Sequence, residues 1–419
     1  MTFNLFQNSK ALQKLTYLSS CFGNQIYFRS LRDSLSSLNL IFITIGFILL
    51  INTFLNFLQI NNNTIISIYI QKYLNIVTNY TINLSNIFIG LSFSYYLAKN
   101  KQMDNPIFIT ILTFISFNIL LSNFNINENL GPQSILSTLI IDIIVIELYQ
   151  IINKFKLHFN DNIPPAISST LNNIIPIFFV IFIISLISLI LNNILNLNII
   201  VIINQFIQET IFNIFTSLWG CILIYSLGNF LWTLGIHQSV IYSSILDPFL
   251  LISILQNIHN YILSNIIPNI INIALVPTFG MIGGSGSTIC LLLAIYLTSK
   301  NTNNKQLLSN SKIPSLFNIN EMITFGYPIV YNPYMIIPFV LVPAIGIFIS
   351  YMAISLNLMN NCIIYLPWIT PPFLNAFLAT AGDWRAIIVQ IIIIIIGTII
   401  YIPFIKLFEK NILYKNIGE

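Results

Sequence analysis

The sequence predicts an all-α polytopic membrane protein with about ten transmembrane helices and with broken helices or re-entrant hairpins in its C-terminal half. Only 7% of the 419 residues are charged whereas 56% are hydrophobic, so the chain lacks the polar surface that a water-soluble globule needs. Apolar stretches of about 20 residues, each long enough to cross the hydrocarbon core of a bilayer, recur along the chain. They include residues 38–57, 107–123, 135–152, 174–191 and 386–404.

The rest of the composition excludes other classes of function. The formal net charge of +4 is spread along the chain without a long basic block, so we expect no nucleic-acid binding. The 4 cysteines lie apart in apolar surroundings, so we expect small buried residues and neither a metal nor a cofactor. The first ~35 residues hold no apolar core of signal-peptide type, so we expect no cleaved leader.

Basic residues predict the orientation in the membrane, because short cytoplasmic loops retain lysine and arginine. The basic clusters lie at residues 10–32, 99–101, 154–156, 300–312 and 406–415. They fit a single path if all of them are cytoplasmic, which places both termini in the cytoplasm and requires an even number of spans. Lys72 is the exception to this path.

Changes in composition predict the domain organisation. Residues 1–195 form an N-terminal transmembrane domain with few polar groups, interrupted by Ile163-Pro164-Pro165-Ala166. Residues 196–214 form an amphipathic linker helix on the membrane surface, because polar residues recur along one face; a short buried span is the alternative. Residues 215–410 form a C-terminal transmembrane domain, and residues 411–419 form a cytoplasmic tail.

Proline, glycine and polar residues interrupt the apolar sequence of the C-terminal domain. The interruptions are "WTLGIHQS", "VPTFGMIGGSGSTI", "FNINEMITFGYPIVYNP", "PWITPPF" and "TAGDWRA". Non-helical backbone at membrane depth is tolerated only where protein or a water-filled cavity satisfies its hydrogen bonds. The C-terminal domain is therefore predicted to hold a polar site built from broken helices.

Glu321 and His237 are the main candidates for chemistry, because ionisable groups within a membrane cost free energy and usually mark a functional site. Glu321 lies beside Asn318 and Asn320 on a segment broken by glycine and proline. This set of hydrogen-bonding groups suits a polyhydroxylated ligand, and an imidazole can accept or donate a proton near neutral pH. A polar network that only braces a hairpin is the alternative.

Further candidates for ligand contact are Gly284, Trp368, Asp383 and Arg385. Gly284 lies in a glycine-rich stretch that allows close backbone approach but lacks the GxxxxGK[ST] pattern of a phosphate-binding loop. Trp368 can stack on a sugar face or anchor the chain at the membrane interface. Asp383 and Arg385 can form an ion pair at the start of the last span, as an interface anchor or as part of the site.

Asp142 and Glu147 lie inside the apolar stretch 135–152, where no proline or glycine breaks the predicted helix. Polar side chains inside transmembrane helices often form hydrogen bonds between helices. We therefore favour contacts between helices, or between subunits of a dimer, over a ligand site for both residues.

Several motifs resemble those of a known family. "GGSGSTICLLLAIYLTSKN", "SLFNINEMITFGYPIVYNPYMIIPFVLVP", "LPWITPPFLNAFLAT" and "GDWRAIIVQ" follow one another, and "YFRSLRDSL", "IPPAIS" and "WTLGIHQS" precede them. Together they resemble enzyme IIC, the membrane component of bacterial phosphotransferase systems, in the lactose/cellobiose/diacetylchitobiose branch. The resemblance implies a homodimeric permease of the bacterial inner membrane. Its N-terminal domain would form the dimer contact, and its C-terminal domain would hold a β-linked disaccharide between two re-entrant hairpins.

The resemblance also implies residue roles and partners. The family's glutamate maps onto Glu321, which would accept a hydrogen bond from the reacting C6 hydroxyl and act as general base. The family's histidine maps onto His237, which would orient this hydroxyl. Asn318 and Asn320 lie in the same motif. The phosphoryl group would come from the phosphocysteine of a separate enzyme IIB, served by enzyme IIA, because we expect neither domain after the last span of this chain.

Gln238 follows His237 where the family usually has glycine, and Met322 follows Glu321 where the family often has proline. Gln238 is therefore a further candidate sugar contact, and the sequence leaves the identity of the sugar open. Two other functions stay open from the residues themselves. One is a secondary sugar transporter that uses Glu321 as a proton or ion site; the other is a sensor or structural membrane subunit without transport.

Overall fold

The computed structural model describes residues 25–57, 80–121, 130–155, 165–264, 266–299 and 301–417, together with residues 69, 72, 73, 76 and 77. Within these ranges the chain is helical or irregular and contains no β-strand, which confirms the predicted all-α class. Some positions used in the sequence predictions lie outside the described residues, namely Lys10, Lys14, Lys156, Lys300 and the first half of the break at 163–166.

The helices are labelled in chain order. The helices of the first half are α1 (Ile26–Phe57), α2 (Ser85–Asn100), α3 (Pro106–Leu120), α4 (Ile135–Ile152), α5 (Pro165–Ser188) and α6 (Ile199–Ile207). The helices of the second half are α7 (Leu218–Thr233), α8 (Asp247–Ser264), α9 (Thr288–Thr298), α10 (Thr302–Leu316), α11 (Glu321–Gly326), α12 (Pro333–Ser355), α13 (Leu374–Ala379) and α14 (Arg385–Ile417). Short π-helical segments occur at Leu189–Ile194, Gln208–Phe212, Tyr242–Leu246 and Val276–Gly280.

Long apolar helices make the protein polytopic. In the described part of the chain, 6 stretches are long and apolar enough to cross a membrane: 26–48, 132–152, 173–192, 199–216, 333–355 and 385–410. The shorter apolar helices α3, α7 and α9 accompany them. The expected number of about ten spans stays a prediction. Because the stretch 199–216 has the length of a span, both interpretations of the linker helix stay open as well.

The chain divides into two compact units. The first unit consists of residues 26–40 and 76–213. In this unit α2 packs against both α3 and α4, and α3 packs against α5. Ile89, Phe93 and Leu97 recur every fourth residue of α2 and are buried, so they form the apolar face that holds these helices together.

The second unit contains, among the described residues, those from 41 to 75 and those from 214 onward. Its long helix α12 packs against α7 and α14, and α14 also packs against α9. The hydroxyl of Tyr401 on α14 donates to the backbone oxygen of Gly286 at 2.6 Å, which fixes the turn before α9. The described cysteines, Cys221, Cys290 and Cys362, are buried and form no disulfide, as expected for small apolar side chains.

Two breaks in the helical pattern of the second unit lie at the predicted interruptions "VPTFGMIGGSGSTI" and "PWITPPF", and we call them the first and the second hairpin. The first hairpin, residues 276–298, turns at residues 281–287, where the hydroxyl of Ser287 donates to the Gly280 oxygen at 3.1 Å. The second hairpin, residues 360–380, folds back on itself. The backbone nitrogens of Ile363 and Ile364 donate to the Ala379 oxygen at 2.9 and 3.2 Å.

Candidate functional site

Asn318 links the two hairpins. Its side chain is buried, its Oδ1 accepts from the backbone N–H of Gly283 at 2.8 Å, and its Nδ2 donates to the backbone oxygen of Trp368. Its φ of 60° lies in the left-handed region, which asparagine tolerates better than most residues. Both amide atoms are therefore used to hold the turn of the first hairpin next to the second hairpin.

Asn320 and Gly284 form a second contact on the same segment. The Nδ2 of buried Asn320 donates to the Ser285 oxygen at 3.0 Å. Gly284 has a φ of 103°, and a Cβ at this position would lie 2.7 Å from the Cγ of Asn320 and 2.8 Å from the backbone oxygen of Asn318. Glycine is thus required here by backbone conformation and by space.

Glu321 is the first residue of α11 and directly follows the two fixed asparagines. Its side chain is exposed, and it forms no hydrogen bond or ion pair with any other described residue. Asn318 and Asn320 anchor the backbone just before Glu321, so the main chain that carries this carboxylate is held in place. The carboxylate itself is exposed. Such a group is available to accept a hydrogen bond or a proton from a ligand hydroxyl.

His237 lies four residues after the end of α7, in a loop that contacts the region around α11. Its ring packs edge-on against Trp232 with ring centroids 4.5 Å apart, and Trp232 packs edge-on against Phe325 of α11 at 5.9 Å. The backbone nitrogen of Tyr331 donates to the Thr233 oxygen at 2.7 Å. These contacts hold the His237 loop beside the segment that carries Glu321.

Hydrogen bonds select the tautomer of His237. The backbone N–H of Ser239 donates to His237 Nδ1 at 3.2 Å, and the Ser239 hydroxyl lies 2.7 Å from the same atom. A backbone N–H can only donate, so Nδ1 is the acceptor and the neutral ring carries its proton on Nε2. Partial desolvation lowers the pKa of His237, and the negative charge of Glu321 offsets part of this shift.

Trp368 and Gln238 are placed differently. The side chain of Trp368 is 58% exposed. The contact with Asn318 uses the backbone oxygen of Trp368 and leaves its indole free of that contact. Gln238 is buried, and its Oε1 has no hydrogen-bond partner in the described part of the chain. The indole is thus accessible to a ligand, whereas the amide of Gln238 faces the protein interior.

Asp383 and Arg385 form the predicted ion pair at the start of α14, with Arg385 Nε 2.9 Å from Asp383 Oδ1. Asp383 also accepts from the backbone N–H of Asn360 at 2.7 Å, and Arg385 Nη2 donates to Asn360 Oδ1 at 3.1 Å. Burial would raise the pKa of Asp383, but the hydrogen bonds from Arg385 and the backbone hold it below its ordinary value. The pair is therefore placed at the start of the second hairpin, and among the described residues it forms no hydrogen bond or ion pair with the Glu321 segment.

Glu147 forms contacts between helices, as favoured from the sequence. Its carboxylate accepts from the Lys101 ammonium and from the Tyr27 hydroxyl, and Lys101 also donates to Gln150 at 2.9 Å. Asp142 is buried on the same helix, α4. Neither the Lys101 contact nor the Ser239 contact to His237 can be predicted from the sequence, since neither a loop lysine nor a serine carries a specific signal.

The fold and the site together define a membrane permease for a polar solute: long apolar helices, with an accessible carboxylate, an imidazole and an exposed indole placed at their breaks. The family described as "Phosphotransferase system, EIIC" matches residues 32–343, which is more than half of the chain. The chain belongs to this family. It is an EIIC sugar permease of the lactose/cellobiose/chitobiose type and an integral protein of the inner membrane.

Similar proteins include the PTS system oligo-beta-mannoside-specific EIIC component of Bacillus subtilis (strain 168), 27% identical over 97% of this chain and 95% of that protein. The PTS system cellobiose-specific EIIC component of Lactococcus lactis subsp. lactis (strain IL1403) is 32% identical over 58% of this chain and 54% of that protein, about half its length. The crystal structure of the transporter ChbC, the IIC component from the N,N'-diacetylchitobiose-specific phosphotransferase system, matches with a TM-score of 0.84 and 25% identity. That match covers 97% of this chain and 99% of ChbC.

Proposed function

We propose that this permease binds a β-linked disaccharide in its C-terminal domain and presents the C6 hydroxyl of the sugar to phosphorylated enzyme IIB. The accessible carboxylate of Glu321, on a backbone held by Asn318 and Asn320, is the observation that carries this proposal. Cellobiose and N,N'-diacetylchitobiose, named for two of the similar proteins, are both β-linked disaccharides. The sugar would lie against the segment between the two hairpins.

Glu321 and His237 have separate roles in this proposal. As the C6 oxygen attacks the phosphorus of the IIB phosphocysteine, an O–P bond forms, the S–P bond breaks, and Glu321 takes the hydroxyl proton. His237 carries its proton on Nε2, so it donates a hydrogen bond to a sugar oxygen and orients the hydroxyl towards Glu321. The hydrogen bond from Ser239 supports this division, because it leaves Nε2 as the donor.

The remaining candidates would form the walls of the sugar site. The exposed indole of Trp368 is suited to stack on a sugar ring, and Gly284 lets the first hairpin approach the Glu321 segment. Asp383 and Arg385 bond to each other and to Asn360, and the side chain of Gln238 is buried, so we assign all three indirect support of the site. Their substitution would alter affinity through the position of the His237 loop or of the second hairpin.

The orientation and assembly belong to the same proposal. Both termini would be cytoplasmic, so that soluble enzyme IIB, recharged by enzyme IIA, reaches the site from inside the cell. Residues 1–195 would form the contact of a homodimer, residues 196–214 a linker helix, residues 215–410 the sugar-binding domain, and residues 411–419 a cytoplasmic tail. The basic side chains at residues 305–312 and 406–410 support this orientation.

Uptake of radiolabelled cellobiose into membrane vesicles tests the proposal against proton- or ion-coupled transport. We expect uptake that requires phosphoenolpyruvate and the soluble phosphotransfer proteins, yields sugar phosphate and is insensitive to an uncoupler. Uptake of unmodified sugar that an uncoupler abolishes would reject it. The substitution Glu321→Gln should abolish phosphorylation while the amount of protein in the membrane stays unchanged, which would also exclude a sensor or structural subunit.

A further inference from the structure

One face of α7 carries buried polar groups that the protein itself does not satisfy. Tyr225, Asn229 and Trp232 lie at positions i, i+4 and i+7 and so share this face. Their side chains are 1%, 0% and 6% exposed. Both amide atoms of Asn229 and the Trp232 Nε1 have no hydrogen-bond partner in the described part of the chain, and the Tyr225 hydroxyl has none there that takes its proton.

Buried polar atoms without a hydrogen-bond partner also occur in the segment that follows α7. Gln238 Oε1 is buried without a partner next to His237, and Ser244 Oγ is buried without a partner two residues after Tyr242. This segment packs directly on α7, because the rings of Tyr225 and Tyr242 stack with centroids 4.3 Å apart. The Tyr242 hydroxyl donates to the Tyr225 backbone oxygen at 2.8 Å, so the stack is fixed.

Other buried amides of the same unit are satisfied. Asn318 and Asn320 bond to the first hairpin, Asn272 bonds to the Cys362 oxygen at 2.9 Å, and Asn375 accepts from Gln390 at 3.0 Å. Among the described residues of this unit, the buried side-chain amides with an unsatisfied atom are therefore Asn229 on α7 and Gln238 just after it, whereas the other unsatisfied groups outside this region are the hydroxyls of Ser311, Ser315, Thr324 and Tyr327. A cluster of this kind requires a specific partner, because most buried polar groups in folded proteins have one.

The chemistry of the cluster suits water. Tyr225 and Trp232 offer donors, Gln238 offers an acceptor, and Asn229 offers one of each. None of these side chains is charged, so an ion has no counter-charge here, and an apolar ligand would leave every group unsatisfied. Water is small and neutral, both donates and accepts, and commonly bridges otherwise unsatisfied buried groups.

We propose that Tyr225, Asn229, Trp232 and Gln238 line an internal site for ordered water molecules, which we call the water track. Seven residues at 1.5 Å per residue give it a length of about 10 Å along α7, from Tyr225 to Trp232 beside His237. Its waters hold the polar ends of Trp232 and Gln238, which flank His237. Asn229, at the centre, is thereby a positioning residue for the imidazole and touches no sugar itself.

Radiolytic hydroxyl labelling of the full-length protein in H₂¹⁸O provides the direct test. Radicals formed from ordered internal water oxidise the side chains next to it, even when these are buried. We expect ¹⁸O incorporation at Tyr225, and the matched control is Tyr401, which is 0% exposed but whose hydroxyl is satisfied by the Gly286 oxygen. Labelling of Tyr225 at or below the level of Tyr401 would overturn the proposal.

Two substitutions at Asn229 provide an independent test. If no water is present, Asn229→Leu removes two unsatisfied polar atoms and should raise the melting temperature. If the water track exists, the leucine displaces water, and the melting temperature should fall by about 2–4 °C. Asn229→Ser keeps a polar group and room for water, so it should restore most of the loss. A higher melting temperature for the leucine variant would contradict the proposal. Where the leucine variant fails to fold, the labelling of the unmodified protein decides.

Nuclear magnetic resonance titration of His237 separates positioning from bulk stability. Loss of the neighbouring water would desolvate the imidazole further, so its pKa should fall in Asn229→Leu and return in Asn229→Ser. Glu321 is the charged group that raises the His237 pKa, and it is unchanged in both variants. An identical His237 pKa in all three proteins would show that the α7 face does not reach the imidazole. Neither this titration nor the labelling depends on transport, so the water track and the proposed function fail separately.

Discussion

The side chain of Asn318 accepts a hydrogen bond from the backbone N–H of Gly283 at 2.8 Å. The amide nitrogen of the same side chain donates to the Trp368 oxygen. A motif residue predicted to contact sugar therefore uses its amide group within the protein, where it joins the two hairpins three residues before Glu321. The proposed sugar site would then depend on Asn318 through the placement of these segments.

Substitution of Asn318 by alanine should lower both stability and sugar affinity. It leaves the Gly283 N–H and the Trp368 oxygen without their partner, at a cost of about 2–4 kcal/mol in the free energy of unfolding. Thermal unfolding in detergent and calorimetric sugar binding measure the two effects. Asn310→Ala, at an exposed asparagine on α10, is the control and should change neither. A stable Asn318→Ala protein with normal affinity would contradict the assigned contact.

Substitution of Gly284 by alanine should be more harmful than the same change at Gly382. Both glycines have positive φ angles, 103° and 92°, so both variants incur backbone strain of about 1–2 kcal/mol. A Cβ at Gly382 has its nearest neighbour at 3.7 Å, whereas one at Gly284 overlaps Asn320 and Asn318. We expect about 1–3 kcal/mol of additional destabilisation for Gly284→Ala in thermal unfolding. Equal effects would show that the Glu321 segment is less tightly packed against the first hairpin.

Sugar phosphorylation should decline on acidification through the pKa of His237, which lies below the ordinary histidine value of about 6.5. The folded protein favours the neutral imidazole, so protonation of His237 favours the unfolded chain. The stability that neutral His237 contributes is therefore present above pH ~6.5 and is lost as the pH falls below this value. Titration by nuclear magnetic resonance measures the midpoint. In Glu321→Gln the His237 pKa should fall further, because the charge that raises it is gone. A midpoint above 6.5 would reject this assignment.

Substitution of Trp368 should weaken sugar binding without loosening the hairpins. The contact with Asn318 uses only the backbone oxygen, so Trp368→Ala leaves the hydrogen bond in place while it removes the exposed ring. We expect the dissociation constant for cellobiose to rise about tenfold, the loss of one aromatic contact of about 1.4 kcal/mol. Trp384→Ala, at an indole of similar exposure, is the control and should bind normally. An unchanged dissociation constant in Trp368→Ala would remove Trp368 from the site.

Substitution of Lys101 by methionine should destabilise the first unit. Lys101 has a side-chain exposure of 9% and pairs with Glu147, which is 38% exposed, so the carboxylate left behind retains partial solvation. We expect a loss of about 1–3 kcal/mol, less than for a fully buried pair. The control Arg29→Met breaks an exposed pair with Asp33 at 3.9 Å and should cost about 0.5 kcal/mol or less. Equal losses would show that burial of Lys101 does not matter.

Local patterns in the sequence were sufficient for the fold class, and they also indicate the region in which we propose the site. Apolar stretches of membrane-crossing length indicate spans, and their helical state follows because a backbone in lipid must satisfy its own hydrogen bonds. The breaks at residues 281–287 and around Trp368 were visible because proline and glycine mark irregular backbone wherever they occur. Glu321 and His237 were also visible in the local sequence, because an ionisable group among apolar residues can be recognised without knowledge of its contacts.

Only the tertiary structure decided how the candidate residues are used. It directs the amide of Asn318 to Gly283 and Trp368, gives Nδ1 of His237 an acceptor role, and places Arg385 with Asn360 at the start of the second hairpin. Many of these contacts join residues far apart in the chain, and each depends on the direction of a donor or an acceptor. The sequence specifies which groups exist, but hydrogen bonds are directional and short, so their partners are fixed only when the helices have packed.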